Sequence, residues 1–219
     1  MLTLDILLKD EEVLSYIKAA DKHLEALGYT EHGLRHATYV GKRAGEILRK
    51  LKYDERTCKI AEFAGLLHDI GNAINRDKHA LTGAILAYNL LLKKGFPLSD
   101  ALEVAMAIGN HHEEEGGPVS PACAALIIAD KSDVHRERVR ERKDIRNDIH
   151  DRVNYSAKSS KVIVYPKKKK ITFDIEIDTK ISPVFEYFEI FMERMLIASK
   201  AAKYLGLKFE LIINGTKML

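Results

Sequence analysis

Of the nine histidines in these 219 residues, five stand beside apolar helical stretches: His36, His68, His79, His111 and His112. Acids accompany them, Asp69 directly after His68, and Asp130 and Asp133 three residues apart. Imidazole nitrogen and carboxylate oxygen are donors that transition metals take, whereas burying either group without a partner costs free energy. The densest instance is residues 64–72, AGLLHDIGN, where an apolar run ends in adjacent His68 and Asp69. Neighbours on a helix lie ~100° apart, so both can reach a cation placed between their directions at the helix edge. Alone, the pair is equally an ordinary helix end with an imidazole near the negative pole of the dipole. A lone histidine is most often a core or surface residue, and it is the recurrence of this arrangement at several helix ends that points to one metal site.

The elements that must position these groups follow from apolar periodicity and end signals. One helix is predicted from Glu11 to Leu27, with Asp10 as its cap and Gly28 as its stop. A second starts near Glu31 or Gly33, runs to Leu51, and carries His32 and His36 one turn apart. A third, capped by Asp54, leads to His68-Asp69 and ends at Gly71; a fourth opens at His79 and ends at Gly95. A fifth, capped by Ser99, ends in Asn110-His111-His112-Glu113. The sixth begins at Ser120-Pro121, presents Asp130 and Asp133 one turn apart, and continues with a sparse stripe of Val139, Ile145, Ile149 and Val153. Beyond it, residues 161–166 and 171–177 read as a hairpin, Ser182-Pro183 opens a long amphipathic helix to Gly206, and residues 207–213 form a third strand. The fold class is therefore mainly α, a bundle of about six helices over residues 1–155, with a small α+β appendage over residues 156–219 in which one helix covers three strands.

Composition excludes several function classes. With 46% hydrophobic and 31% charged residues and five prolines, the chain is globular and neither disordered nor repetitive. No run of ~18 apolar residues is present to span a membrane, and the acidic turn after the short apolar start lacks a secretion signal's basic flank, so a cytoplasmic protein is expected. Cys58 and Cys123 lie in apolar helical patterns without CxxC spacing and read as reduced structural thiols. Net charge is +3, but residues 135–170 hold thirteen Lys/Arg against five acids, a local +8 that leaves the remainder near −5. Such a strip can attract phosphate-bearing ligands; a solvated helix face and turn is the commoner origin.

The order H, HD, D, standing here as Arg35-His36, Leu67-His68-Asp69-Ile-Gly71 and Ala129-Asp130-Lys-Ser-Asp133, resembles the HD-domain superfamily of metal-dependent phosphohydrolases. The resemblance spans about residues 30 to 135, and the additional His79, His111 and His112 look like the extra ligands of its dinuclear members. Two departures stand against the HD-GYP branch: Asn72 where that branch has Lys, and no GYP residues in the loop 114–119. The resemblance implies an HD-domain helical bundle in which His36, His68, Asp69 and Asp130 hold one divalent transition metal (Fe, Mn, Co or Zn), with Asp69 bridging to a second held by His79, His111 and His112. It further implies hydrolysis of a phosphate ester, a phosphorylated small molecule such as a nucleotide, by a metal-activated hydroxide. In that setting Asp133 can orient or deprotonate the attacking water alongside Asp69, Arg35 and Lys78 can contact phosphate oxygens, and His32 is a further ligand or a supporting partner.

Two other readings remain open from the sequence: a di-iron oxygenase of the same fold, and a non-catalytic module that binds nucleotide or nucleic acid through the basic strip. The appendage has two open roles. Its hairpin either adds to a sheet edge in a homodimer or closes over the active site.

Overall fold

In the computed structural model, which describes residues 2–114, 116–140, 145 and 148–219, helices fill the first two-thirds of the chain, and a four-stranded sheet with one long helix follows. A short N-terminal helix, α1 (Leu4–Leu7), not expected from the sequence, tucks Leu4 and Leu7 into the core. Side-chain caps set the next starts. Asp10, Asp54 and Ser120 accept from backbone N–H groups two or three residues on, at the heads of α2 (Glu11–Ala26), α4 (Glu55–Leu67) and α7 (Pro121–Lys131). Helix α6 (Leu98–Gly109) begins earlier than expected, with Pro97 in the capping position, because the Ser99 hydroxyl donates to Asp100.

Helix α3 (Leu34–Lys50) returns through residues 51–54 into α4, and two glycines let the pair approach closely. A Cβ on Gly65 would stand 2.7 Å from the Gly41 Cα, so this contact is backbone against backbone. It sets the first turn of α3 beside the last turn of α4, and thereby His36 beside His68. After His68-Asp69 a single 3-10 turn (Ile70–Ala73) presses on the start of α5 (His79–Lys93), where a Cβ on Gly71 would overlap the His79 carbonyl and lie 2.5 Å from Gly83 N. Helix α7 runs through the middle of the core with every side chain from Ala122 to Ala129 buried, which explains its lack of an amphipathic pattern.

The long charged extension expected of α7 is not formed. The helix ends at Lys131; the Ser132 hydroxyl donates to the Ala129 carbonyl, and Asp133 is drawn toward α3. Arg138, in a 3-10 turn (Arg136–Arg138), folds back to donate to the carbonyls of Asp133 and Glu31. Val139 is buried there and Val153 belongs to a separate helix, α8 (Ile149–Ser156), so the stripe was not one helical face. Part of the basic strip, Arg142, Lys143 and Arg146 with Glu141 and Asp144, lies outside the described residues, as does Glu115 of the loop 114–119.

The sheet runs in the order β1 (Ala157–Tyr165), β2 (Lys170–Ile177), β3 (Lys208–Ile213), β4 (Thr216–Lys217). β1 pairs antiparallel with β2, which pairs parallel with β3 across the crossover helix α9 (Val184–Tyr204). β4 is one strand more than expected. Asn214 and Gly215, both at positive φ, make the two-residue turn that returns it along β3. Ile171, Phe173, Ile175 and Ile177 are buried, and their apolar cluster is continuous with that of the helices, since α9 packs on both β3 and α7.

Candidate metal centre

Six of the seven proposed ligands meet where α3, α4, α5, α6 and α7 present their ends, and each imidazole is fixed from behind. His36 Nδ1 lies 2.6 Å from Asp133 Oδ2, His68 Nδ1 2.8 Å from the Gly65 carbonyl, His111 Nδ1 2.6 Å from the Ile108 carbonyl and His79 Nδ1 3.2 Å from the Arg76 carbonyl. With Nδ1–H donating outward in each ring, the Nε2 lone pair is directed inward, as a metal requires. His36 Nε2 stands 3.3 Å from His68 Nε2, 3.7 Å from Asp69 Oδ2 and 3.5 Å from Asp130 Oδ1. His68 Nε2 is 3.2 Å from Asp69 Oδ2, while Asp69 Oδ1 faces the other way, 3.6 Å from His79 Nε2. His36, His68 and Asp130 form one group with mutually close ligand atoms, and His68, Asp69 and His111 form another. His112, the seventh ligand, is at the rim, its ring 5.0 Å from that of His79.

The protonation pattern fits the same donor set. Burial opposes a charge on His68, but the carboxylates of Asp69 and Asp130 outweigh it and push the imidazole up to about 10. Burial would raise the carboxyls of Asp69 and Asp130, yet neighbouring positive groups hold both well below the usual carboxylate range. Burial with cationic neighbours lowers His79 to about 4, and depresses His111 and His112 as well. The group thus combines anionic carboxylates, imidazoles of His79, His111 and His112 depressed by burial, and a proton held on His68, where a cation could take its place. Buried nitrogen and oxygen donors in this mixture suit a transition metal better than magnesium or calcium.

Asp133 lies behind the centre, not in it. Beside His36 Nδ1 it receives both Arg35 amino groups, Nη1 on Oδ1 at 3.2 Å and Nη2 on Oδ2 at 2.8 Å, and Arg35 also donates to Glu31. Arg35 is therefore turned toward these carboxylates. Lys78 is exposed at the head of α5, lining an outer hollow with Tyr29, Arg76, His79 and His112. His32 is buried, its Nδ1 2.7 Å from the Thr30 carbonyl and its ring 5.4 Å from that of His36. Asn72 donates to Asp69 Oδ1 at 3.0 Å and fixes that carboxylate, while its own carbonyl lies 2.6 Å from His23 Nδ1.

Four cations not singled out from the sequence line the chamber beside the ligands: Arg76, Lys131, Arg138 and Arg194. Lys131 bridges Glu113 (2.5 Å) and Asp130 (2.8 Å), and together with Arg194 it lowers Glu113 to about 2 against the effect of burial. Arg194 stacks 4.7 Å over Phe191, and Arg76 lies 5.2 Å over Tyr29. Arg138 had a signal, as part of the basic strip, but nothing in sequence distinguished its 2% exposure from the solvated arginines around it.

Residues 33–149 match the HD domain family, slightly more than half of the chain. The chain belongs to the HD-domain family. Members of this family bind divalent metals, and among the described residues the His/Asp groups above could hold them. Among relatives, a Ribonuclease Y of Lawsonia intracellularis is 39% identical over 104 residues, 46% of this chain and 18% of that protein. The uncharacterized protein MJ1020 of Methanocaldococcus jannaschii is 31% identical over 159 residues, 62% of this chain and 61% of its own length. A crystal structure of a predicted HD superfamily hydrolase from an uncultured Thermotogales bacterium is 31% identical, covering 57% of this chain and 67% of that one with a TM-score of 0.45. This HD-domain chain spans less than a fifth of the Ribonuclease Y relative and about three-fifths of MJ1020. Among the described residues, no helix is long and apolar enough to cross a membrane.

Proposed function

We propose that this HD-domain protein is a metal-dependent phosphohydrolase that cleaves a phosphate ester of a nucleotide. The observation that carries the reading is the inward convergence of the His36, His68 and His79 Nε2 atoms on the carboxylates of Asp69 and Asp130, with every ring held from behind. His36, His68, Asp69 and Asp130 would hold one ion. Asp69, whose two oxygens face opposite sides, would share a second with His79, His111 and His112. When bound, such a pair lowers the pKa of a coordinated water and offsets charge on phosphoryl oxygens.

The chain's own residues do the rest. Asp133 accepts a hydrogen bond from His36 Nδ1–H, fixing the tautomer, and His36, Arg138 and Arg35 together keep Asp133 ionised, with Arg35 holding it in place. Asn72 holds Asp69 so that its second oxygen stays directed at His68. Arg76 and Arg194, which line both the chamber beside the ligands and the adjoining cleft, bring positive charge to the side from which a phosphoryl group would approach. Asp133 is thus a positioning residue in this reading, and Lys78 is left at the outer edge of the hollow.

The test is hydrolysis by metal-loaded protein over a panel of nucleoside mono- and diphosphates, cyclic nucleotides and short RNAs, the last because of the Ribonuclease Y relatives. Phosphate release or chain cleavage that disappears in His68→Ala is expected. Wild type and His68→Ala behaving alike over the whole panel would refute the proposal, and oxygen uptake by an iron-loaded preparation would replace hydrolysis with oxidative chemistry.

A further inference from the structure

The chamber beside the ligands adjoins a cleft of about 420 Å³ whose far wall does not come from the region matching the family alone. One side is Leu27 to Thr30 with His32, Arg76 and His112; the other is built from α8 and α9, including Asn154, Ile190, Phe191 and Arg194. Arg76, His32, His112, Glu113 and Arg194 line both the chamber and the cleft, so the two lie on either side of the same residues. The cleft is polarised. Arg76 and Arg194 stand at its inner end, while the exposed Glu114 and Asp148 stand elsewhere on its wall. Asn154 is a second, independent observation. It is only 4% exposed, its Nδ2 donates to the His150 carbonyl at 2.8 Å, and its buried Oδ1 has no hydrogen-bond partner among the described residues. A buried amide oxygen without a donor carries an unrecovered desolvation cost, which a ligand donor would offset.

We infer that α8 and α9 complete the site as a pocket for the nucleoside half of a mononucleotide, with Arg194 contacting the phosphoryl group and Asn154 Oδ1 accepting from an amine-bearing base. This rests on the phosphohydrolase reading for the position of the phosphate, and it assigns the C-terminal segment the role of substrate recognition. A cleft of about 420 Å³ falls within the range of small-molecule sites, about 300–1,000 Å³. The exposed carboxylates of Glu114 and Asp148 in the cleft wall make it less suited to a polyanionic RNA strand than to a single nucleotide. Tyr29, half-exposed at the opposite wall, offers the base an aromatic surface.

Calorimetric titration of the metal-loaded full chain with three probes that are not turned over tests this: adenosine 5′-phosphonate, methylphosphonate and a phosphorothioate oligoadenylate ten residues long. In wild type the adenosine phosphonate is expected to bind at least about tenfold more tightly than methylphosphonate, the equivalent of one or two well-made hydrogen bonds with some stacking. Asn154→Ala is expected to cut that advantage by about fivefold to tenfold without changing methylphosphonate binding, and Arg194→Ala to weaken both phosphonates alike. Equal affinities for the two phosphonates in wild type would overturn the inference, a comparison that needs no variant to fold. So would an oligoadenylate that binds more tightly than the mononucleotide probe, or an Asn154→Ala protein of unchanged selectivity. Failure of the phosphohydrolase reading is seen separately, as absence of phosphate release from any ester by a protein that still selects the adenosine probe.

Discussion

Replacing Asp133 by Asn separates two roles that sequence alone left together, activation of water and support of a ligand. Asp133 is 4% exposed, and its Oδ2 takes both the His36 Nδ1 proton at 2.6 Å and an Arg35 amino group at 2.8 Å, with the other Arg35 amino group 3.2 Å from Oδ1. An amide offers one acceptor and one donor where three donors now point. If its NH2 faces His36, the favoured imidazole tautomer moves the proton to Nε2 and removes the lone pair directed at the metal. If it faces Arg35, two donors oppose each other in a buried place. Loss of such a supporting carboxylate typically lowers metal affinity 10–100-fold, or about 1.4–2.7 kcal/mol. Affinity is measured by competition with a chromogenic chelator, and kcat at saturating metal with p-nitrophenyl phosphate. A positioning role predicts weakened binding with kcat restored to within about threefold by excess metal, since an intact centre then re-forms. A general-base role predicts unchanged affinity and kcat lowered about 10²–10⁴-fold. That second outcome would refute a positioning role for Asp133.

Four other outcomes are expected. Metal-free His68 keeps its proton up to about pH 10, whereas His79 sits near 4, so metal binding at pH 7.5 should release at least one proton; apparent affinity should rise about tenfold per pH unit up to that value. Titrations in buffers of different ionisation enthalpy read this, and zero release contradicts it. Asp69→Ala should lose both metals on elemental analysis while His79→Ala and His111→Ala keep one, and equal retention in all three would exclude a shared Asp69. Gly65→Ala should destabilise the protein by ~2 kcal/mol and lower Tm by about 4–8 °C, because its methyl meets the Gly41 backbone at 2.7 Å; an unchanged melting curve would mean that the helices separate freely. Inorganic phosphate should tighten metal binding, and metal should tighten phosphate binding by the same factor, as two calorimetric titrations can check.

The helical part was legible because its signals are local. Caps at Asp10, Asp54 and Ser120 and the apolar period set the elements, and the H, HD, D order placed ligands at their ends. The misread stretch is residues 132–153. Its stripe of Val139, Ile145, Ile149 and Val153 is spaced six, four and four, which a helix can only loosely satisfy, and the true stop is tertiary. Asp133 is held by Arg35 and His36 from a helix nearly a hundred residues earlier, and Arg138 by the Glu31 carbonyl. No local pattern encodes such partners. By contrast β4 had a local signal, the Asn214-Gly215 pair, which demands positive φ at both positions and so turns the strand back.

The charges missed in sequence explain why the site needs its arginines. Each buried carboxylate already has a positive neighbour: Asp133 has Arg35, Glu113 has Lys131, Asp130 has Lys131 and His68, and Asp69 has His68. Lys131 and Arg35 are therefore committed to internal balance. In the metal-free protein the His68 proton contributes to that balance beside Asp69. Exchanging one proton for divalent ions leaves an excess of positive charge in a chamber with little solvent, where charge is poorly screened. An anion is then the natural counterpart. Arg76 and Arg194, which stack on Tyr29 and Phe191 at the mouth of the chamber, extend that excess into the cleft and so direct the anion's approach from the side of α8 and α9. On the phosphohydrolase reading, such a site would bind its anion in proportion to its metal, which would make the basic residues of the C-terminal segment and the proposed ligands of the helical bundle one electrostatic unit.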